Sequence, residues 1–259
     1  MVYLPDKILR ELDLKMNKML SEEKSDSERR KILDEVFDQN TLLAIYRLIN
    51  RKVLSTLDFP ISTGKEANVF HATSPDGRHL AVKIYRVGNA DFKNKWKYIL
   101  GDPRFKNIRQ GSRNIILEWT RKEFINLQRL FENGIPVPQP YAYFENVLAM
   151  EYLGDATGPA PLLKNTELSC EDAEALYKIL LDVLREMIHK AKLVHADFSE
   201  FNIILFKGKP VIIDVAQAVS IRHPNAEEFL KRDVENFCRF FNKFSIKITP
   251  EEILKKLKH

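Results

Sequence analysis

The fold of this chain is decided by the segment His195-Ala-Asp-Phe-Ser-Glu-Phe-Asn202, followed by Val211-Ile-Ile-Asp214. These segments supply a carboxylate at Asp197, an amide at Asn202 and a second carboxylate at Asp214, twelve residues beyond the amide. Carboxylate and amide oxygens are ligands that Mg²⁺ prefers, and a further carboxylate can accept the proton of an attacking hydroxyl. The pattern therefore predicts metal-assisted group transfer. The competing interpretation makes Asp197 and Asp214 ordinary turn or helix-capping residues.

The spacing H-x-D-x-x-x-x-N, with a further Asp at the end of a following strand, resembles that of phosphotransferases with the protein-kinase fold. In those enzymes the first Asp orients and deprotonates the attacking hydroxyl, while the Asn and the second Asp hold Mg²⁺ on the phosphates. We interpret His195 differently, as a packed loop histidine that bonds to the backbone and transfers no proton. By itself the pattern is short enough to arise by chance.

A strand-turn-strand segment upstream has residues expected of a loop that covers phosphates. It reads Ser62-Thr-Gly64-Lys65-Glu-Ala67-Asn-Val69, and Ala81-Val82-Lys83 follows on the next strand. Kinases carry G-x-G-x-x-G-x-V in this loop, and a strand lysine that neutralises the α- and β-phosphates. This chain has S-x-G-x-x-A-x-V, so two of the glycines are replaced. The competing interpretation of Gly64 is a simple hairpin turn.

The Lys83 ammonium would be costly on a buried strand without a partner. A helix predicted over 114–132 supplies a candidate, because Glu123 lies on its apolar face, seven residues after Ile116 and four before Leu127. Glu118 is the alternative partner, but it points towards the basic Arg121 and Lys122 and is interpreted as a surface residue. We therefore predict a Lys83–Glu123 pair.

Hydrophobic periodicity and turn residues predict the other elements. Prolines between 136 and 140 exclude a helix interior there. The predicted elements are helices in 1–52, strands over 67–72 and 79–85, a hairpin over 141–144 and 147–152, a helix capped by Ser169 that runs to 191, strands over 203–206 and 210–213, and helices in the remainder.

Length and composition indicate a folded protein. The chain has 259 residues, of which 44% are hydrophobic and 30% charged, well away from the composition of disordered chains. No apolar run of about 18 residues and no signal peptide is evident, so we expect no membrane association. The two cysteines, Cys170 and Cys238, form neither a disulfide framework nor a zinc motif, which predicts a cytoplasmic location.

Positive charge is concentrated in the basic stretch, residues 86–113. It contains eight basic residues and two acidic ones, a local balance of +6, whereas the whole chain carries +5. Aromatic residues are interleaved with these charges, as on surfaces that stack on bases while neutralising phosphates: Phe92, Trp96, Tyr98 and Phe105. We predict a basic loop that contacts RNA. The competing interpretation is a solvated loop with anchoring aromatics.

Together these segments are similar to those of the RIO family of atypical protein kinases, and specifically to its type-one branch. The resemblance covers roughly residues 40 to 245. The segments that carry it are Ser62–Phe70, Ala81–Arg86, Pro136–Pro140, Val194–Asn202, Ile213–Val219 and Arg222–Pro224. The other main branch begins with a winged-helix domain, and the first fifty residues here lack the strands for one.

The resemblance implies an α+β, trimmed two-lobed protein-kinase-like fold with an N-terminal helical extension. The implied boundaries are 1–55 for the extension, 56–152 for an N-terminal lobe with the Glu123 helix and the basic loop 86–113, and 153–259 for a C-terminal helical lobe with the catalytic loop. It also implies ATP with Mg²⁺ or Mn²⁺, and a role in small ribosomal subunit maturation. The pre-ribosomal subunit or its RNA would be the partner, through 86–113.

The family's roles can be carried over residue by residue. Asp197 would be the catalytic base, and Asn202 and Asp214 the metal ligands. Met150 would guard the adenine pocket, beside backbone bonds from adenine to the Glu151 C=O and the Leu153 N–H. The full set of implied ATP-binding residues is Ser62, Gly64, Lys65, Val69, Lys83, Glu123, Met150, Glu151 and Leu153. Ser112 is the candidate autophosphorylation site.

Departures from conventional protein kinases are informative too. Asp214 precedes Val-Ala and not Phe-Gly, Ser199 replaces a γ-phosphate-binding Lys, and no A-P-E follows. The 45 residues after Asp214 are too few for both an activation loop and a peptide-binding subdomain. Three functions stay open: an autophosphorylating serine kinase, an ATPase switch that forms an aspartyl-phosphate at Asp214 to control binding to pre-ribosomal particles, and a small-molecule kinase, which the short C-terminal lobe disfavours.

Overall fold

The computed structural model describes residues 38–87, 92–105 and 111–258, which form two compact units. The first unit combines 38–87 with Pro140–Tyr152, and the second combines 92–105 and 111–139 with 153–258. An antiparallel sheet in the first unit and helices in the second make up the predicted α+β fold. A helical extension was predicted over 1–55, and its first 37 residues lie outside the described residues.

A five-stranded antiparallel sheet forms the body of the first unit. Its strand order is β1-β2-β3-β5-β4, and each neighbouring pair is antiparallel. The strands are β1 (Thr56–Thr63), β2 (Ala67–Thr73), β3 (His79–Tyr85), β4 (Pro140–Phe144) and β5 (Val147–Glu151). Both predicted hairpins, β2–β3 and β4–β5, are confirmed.

One face of this sheet is covered by helix α1 (Gln39–Asn50). The Asp38 carboxylate caps the helix by accepting a hydrogen bond from the Thr41 N–H at 2.8 Å. Asn146 ties helix and sheet together, because its side-chain amide donates to Thr41 Oγ1 and to the Tyr85 carbonyl, both at 2.8 Å. The helix therefore belongs to the core of the first unit, which it shares with the strands.

The second unit is mainly helical. Its helices are α2 (Phe92–Ile99), α3 (Ser112–Glu132), α4 (Cys170–His189), α5 (Ala226–Phe241) and α6 (Pro250–Lys258). Its strand pairs are β6 (Gly154–Asp155) with β7 (Gly158–Pro159), β8 (Leu193–Val194) with β11 (Val219–Ser220), and β9 (Ile203–Phe206) with β10 (Lys209–Ile212). One-turn 3₁₀ helices lie at Leu163–Asn165, Val215–Gln217 and Asn242–Phe244. No helix in the described ranges is long and apolar enough to cross a membrane.

The helix ends follow the sequence signals. Ser169 caps α4 by accepting from the Asp172 N–H at 3.0 Å, as predicted. Helix α3 ends at Glu132 and is followed by Asn133 and Gly134, and Gly134 has a φ of 75°, a left-handed conformation that glycine adopts readily.

The basic stretch differs from its prediction. Helix α2 lies inside it, so the prediction of a loop over 86–113 is wrong for these residues. The Tyr98 ring packs between Trp119 and Phe229, with centroids 6.0 and 5.1 Å away, and Phe105 is buried as well. Lys95 is only 3% exposed, with its ammonium over the Trp119 ring. These side chains stabilise the second unit and are not available to stack on bases or to bind phosphates.

The two units also divide the chain differently from the predicted lobes. Helix α3, which carries Glu123, groups with the second unit, because it packs against the 3₁₀ turn Val215–Gln217. Helix α1 groups with the sheet, not with a separate extension. The sequence predicted both helices, and the lobe boundaries 56–152 and 153–259 stay a prediction.

Candidate active site

The loop between β8 and β9 holds the Asp197 carboxylate in a defined position. Asp197 Oδ2 accepts hydrogen bonds from Asn202 Nδ2 and from Gln217 Nε2, both at 3.1 Å. Asn202 Nδ2 also donates to the Asp197 carbonyl at 2.9 Å. Oδ1 receives no hydrogen bond from the described residues, so this oxygen can accept a proton from a hydroxyl. The structure thus brings together Asp197 and Asn202 as predicted, and adds Gln217.

Burial raises the pKa of Asp197, and the nearby Asp214 carboxylate raises it further, although the Asn202 hydrogen bond acts in the opposite direction. A carboxylate with a raised pKa is a stronger base than an exposed one. The electrostatic environment of Asp197 therefore suits proton abstraction, while the loop keeps its carboxylate oriented.

The backbone of this loop is anchored by α5. The buried Asp233 carboxylate accepts from the Ala196 N–H at 2.7 Å and from the Phe198 N–H at 2.8 Å, one residue on either side of Asp197. Burial raises the pKa of Asp233 to about 7. Arg232 donates to the Ala196 carbonyl, and to Tyr98 Oη at 3.2 Å. Asp233 is thus a positioning residue that the sequence analysis missed.

His195 is a packed histidine, as predicted. It is 1% exposed, and its Nε2 lies 3.4 Å from the Ile213 carbonyl oxygen. Burial lowers the pKa of His195 to about 4, so the ring is neutral near pH 7. This contact links the catalytic loop to the segment before Asp214, and the absence of proton transfer at His195 stays a prediction.

Asp214 lies two residues beyond the end of β10, at an exposed position with a left-handed backbone (φ 59°, ψ 54°). Such a conformation costs free energy for a residue other than glycine, and persists only where neighbours hold it. Helix α3 supplies the neighbours, because Asn126 Nδ2 donates to the Val215 and Ala218 carbonyls at 2.8 and 2.9 Å.

Lys122 on the same helix holds this turn as well. Its ammonium donates to the Ala216 carbonyl at 2.8 Å and to the Ala218 carbonyl. Lys122 is fully buried, and burial lowers its pKa well below the usual value for lysine. Glu118 was predicted to be a surface residue beside Arg121 and Lys122. It does pair with Arg121, at 3.0 Å, but Lys122 is buried and not at the surface.

The donor atoms at this end of the second unit fit a hard divalent cation. The Asn202 amide nitrogen is used in bonds to Asp197, which leaves the amide oxygen as a ligand, and Asp214 adds an exposed carboxylate. In the described ranges no three His, Cys, Asp or Glu side chains form a ready-made metal site. Mg²⁺ would therefore take its further ligands from phosphate and water, which is its usual behaviour with nucleotides.

The predicted phosphate-covering residues lie on the β1–β2 hairpin of the first unit. Ser62 is opposite Val69 in the register, and the Gly64 N–H donates to the Ala67 carbonyl at 2.9 Å across the turn. A Cβ on Gly64 would lie 3.0 Å from that carbonyl oxygen, a tight contact that favours glycine there. Lys65 is exposed. The turn interpretation of Gly64 is thus correct, and it leaves the phosphate role open.

Lys83 lies in the middle of the sheet, opposite Val69 on β2 and Leu148 on β5. It is 7% exposed, with its ammonium 5.0 Å from the centre of the Tyr85 ring. Met150 and Glu151 end β5, opposite Ala81 and Leu80. The predicted burial of Lys83 is confirmed.

Glu123 is 1% exposed on α3, which confirms its predicted burial. Its pairing with Lys83 stays a prediction. Leu153 is buried at the start of the second unit, where its carbonyl accepts from the Ala160 N–H at 2.9 Å. Ser112 is the first residue of α3, and its role as an autophosphorylation site also stays a prediction.

Comparison with known proteins identifies close relatives. A family model described as the RIO domain matches residues 68–253. The RIO-type serine/threonine-protein kinase Rio1 of Haloferax volcanii is 43% identical over 84% of this chain and 74% of its own. The serine/threonine-protein kinases RIO1 of Caenorhabditis elegans and of Homo sapiens are 43% and 39% identical over 85% and 86% of this chain. The match spans only 44% and 40% of those two longer proteins.

A solved structure is similar in fold. The crystal structure of a Rio2 kinase–ADP/Mg²⁺–phosphoaspartate complex from Chaetomium thermophilum superposes with a TM-score of 0.66 at 27% identity. The match covers 86% of this chain and 66% of the Rio2 chain. The fold similarity therefore extends over both the sheet and the helices described above.

Proposed function

Because this chain belongs to the RIO family of atypical serine/threonine protein kinases, and to its Rio1 type, we propose that it transfers the γ-phosphoryl group of ATP to seryl hydroxyls, its own included. The observation that carries the proposal is the Asp197 carboxylate, oriented by Asn202 and Gln217 on a loop that Asp233 anchors. A base fixed in this way can take the hydroxyl proton as the oxygen attacks phosphorus.

In this reaction the chain's residues divide into three tasks. Asn202 and Asp214 would hold Mg²⁺ or Mn²⁺, which when bound neutralises charge on the phosphates. Lys83, kept in place by Glu123, would neutralise the α- and β-phosphates, beneath a hairpin formed by Ser62, Gly64, Lys65 and Val69. The adenine would lie beside Met150 and bond to the backbone of Glu151 and Leu153.

A second candidate function is an ATPase switch in which Asp214 accepts the phosphoryl group. The similar Rio2 structure from Chaetomium thermophilum is a complex that holds a phosphoaspartate together with ADP and Mg²⁺. In the present chain Asp214 lies at an exposed position and has a left-handed backbone. A cycle of aspartyl-phosphate formation and hydrolysis would then control association of the chain with a pre-ribosomal particle.

The biological setting is also proposed. The Rio1-type resemblance supports action on the maturing small ribosomal subunit, with ribosomal RNA as a partner. A chain with two cysteines that lie 68 residues apart suits the cytoplasm, where disulfides are rare.

The chemistry of the phosphorylated residue distinguishes the two functions. Purified chain incubated with γ-labelled ATP and Mg²⁺ is expected to carry label that survives hydroxylamine, because a seryl phosphate is stable to it and an acyl phosphate is cleaved. Label that is removed by hydroxylamine and is absent from Asp214→Ala, with continuous phosphate release, would establish the ATPase switch instead.

A further inference from the structure

The second unit contains a cavity of about 530 Å³ that the proposed reaction does not use. Residues from four segments line it: the turn after α2, the last turn of α3, the residue before β8 and the end of β11. The lining residues that matter here are Arg104, Arg129, Lys192, Ser220, Ile221 and Arg222. Four of these six are cationic and none is acidic.

The positive charge of this cavity is only partly neutralised. Arg104 pairs with Asp102 at 2.7 Å and bonds to Asn126 at 2.7 Å. Arg129, Lys192 and Arg222 have no carboxylate within ion-pair distance among the residues that the structure describes. Like charges around one concavity repel one another, and their combined field favours a bound anion.

Hydrogen bonds fix the backbone that carries two of these cations. The β8–β11 pair aligns Leu193 with Ser220, and the Ile221 N–H donates to the Lys192 carbonyl at 3.1 Å. These bonds fix Lys192 and Arg222 at one end of the strand pair, while Arg129 projects from α3. A site arranged before binding loses less conformational entropy when a ligand arrives.

We propose that this basic cavity, defined by Arg129, Lys192 and Arg222, binds the phosphate groups of single-stranded RNA. Arginine forks match phosphate oxygens, and a lysine adds a point charge. A concave site admits a single flexible strand, whereas the phosphates of a duplex lie on a rigid convex rod. The exposed Ile221 side chain offers an apolar surface to a ribose or base.

The cavity by itself indicates a ligand with phosphate groups. The choice of RNA as that ligand rests on the proposed function. The proposal also relocates the predicted RNA contact. In the basic stretch, Lys95 is buried and Arg104 is paired, but Arg104 forms one wall of the cavity. The basic stretch would thus contribute structurally to a site whose available charges come from elsewhere in the unit.

The test measures binding of a fluorescein-labelled 12-nucleotide single-stranded RNA to the full chain by anisotropy, over a series of KCl concentrations. The triple variant Arg129→Gln/Lys192→Gln/Arg222→Gln removes the cavity's three available charges. A matched control, Lys178→Gln/Lys231→Gln/Lys247→Gln, removes the same net charge from positions that do not line the cavity. The slope of log affinity against log salt should become shallower by about 2 in the cavity variant, at roughly 0.7 per phosphate contact, and stay unchanged in the control.

The proposal would be overturned if the salt dependence of RNA binding in the cavity variant equalled that of the unaltered chain, or if it fell by the same amount in the cavity variant and the control. Binding of a phosphoserine peptide at the cavity with no RNA binding would overturn it as well. If the triple variant does not fold, the single variant Arg222→Gln replaces it, because Arg222 is at an exposed position. Its salt slope should become shallower by about 0.7. Autophosphorylation of the same preparations should be unchanged in both variants. Its absence from every preparation would count against the proposed kinase function and not against the cavity.

Discussion

At the scale of single residues, two carboxylates of the second unit have different tasks because their surroundings differ. Asp197 is partly buried and bonds through one oxygen to the side chains of Asn202 and Gln217. Asp233 is wholly buried and bonds to backbone N–H groups of the loop. The first carboxylate can therefore meet a substrate, while the second fixes the loop that carries it.

The variant Asp233→Asn tests this division. An asparagine keeps the shape but has one acceptor oxygen, so either the Ala196 or the Phe198 N–H is left unpaired, at a cost of about 1 to 3 kcal/mol in the free energy of unfolding. We expect kcat for autophosphorylation to fall while the Kd for ATP stays within a few-fold. A large loss of ATP affinity with kcat preserved would show that Asp233 does not act through the catalytic loop.

The raised pKa of Asp233 also predicts a pH dependence. The carboxyl has a pKa of about 7 in the folded chain against an ordinary 3.8, so the folded state holds this proton more tightly than the unfolded state. Its contribution to stability is complete below pH 4 and is lost as the pH rises to 7. The difference in thermal midpoint between the unaltered chain and Asp233→Asn should shift in favour of the variant over this range. A constant difference from pH 4 to 7 would contradict the assignment.

The sequence predicted part of this site and missed part of it. The spacing of Asp197, Asn202 and Asp214 is short and local, so it is visible in the sequence. The contacts from Asp233 and Gln217 join residues 20 to 37 positions apart, which no local pattern records. One signal was present: Asp233 lies four residues after Phe229 on an apolar helix face, the same argument that identified Glu123.

At the scale of elements, α3 supports the segment after Asp214. Lys122 and Asn126 together donate to the carbonyls of Val215, Ala216 and Ala218. The periodicity of apolar residues located the helix, but periodicity cannot distinguish a buried lysine from a solvated one. The backbone carbonyls that satisfy Lys122 lie more than 90 residues away.

The variant Lys122→Met removes the ammonium while keeping the length of the side chain. We expect the Mg²⁺ concentration for half-maximal labelling to rise, because the turn that follows Asp214 loses two hydrogen bonds. The Ala216 carbonyl is then left unpaired, since only the Ala218 carbonyl keeps its bond from Asn126, and this should lower the free energy of unfolding by about 1 to 3 kcal/mol. The neighbouring Arg121→Met is the matched control, since Arg121 makes a surface pair with Glu118, and should change stability by less than about 0.5 kcal/mol. Equal metal dependence in the two variants would contradict the supporting role.

At the scale of the whole molecule, the sequence predicted hairpins and long helices, but not helix α2 or the way the elements group into two compact units. Local hydrogen bonding and turn residues determine hairpins such as β2–β3, whereas grouping depends on packing between distant segments. Helix α2 illustrates this, because its charges and aromatic residues predicted a loop that contacts RNA, whereas Tyr98 and Lys95 pack against Trp119.

The predicted Lys83–Glu123 pair is tested by a double-mutant cycle on Lys83→Ala and Glu123→Ala. Each single variant should weaken ATP binding, since Lys83 would lose either its charge or its orientation. The double variant should be less impaired than the sum of the singles, with a coupling free energy of about 0.5 to 3 kcal/mol. Additive effects would identify another partner for Lys83.

The central claim, that Asp197 is the base for phosphoryl transfer, is tested most directly by single-turnover labelling of Asp197→Asn at saturating ATP and Mg²⁺. The asparagine can still accept from Asn202 and Gln217 but cannot take a proton. We predict an unchanged Kd for ATP and a transfer rate lower by about 10² to 10⁴. A transfer rate within a few-fold of the unaltered chain would contradict the account.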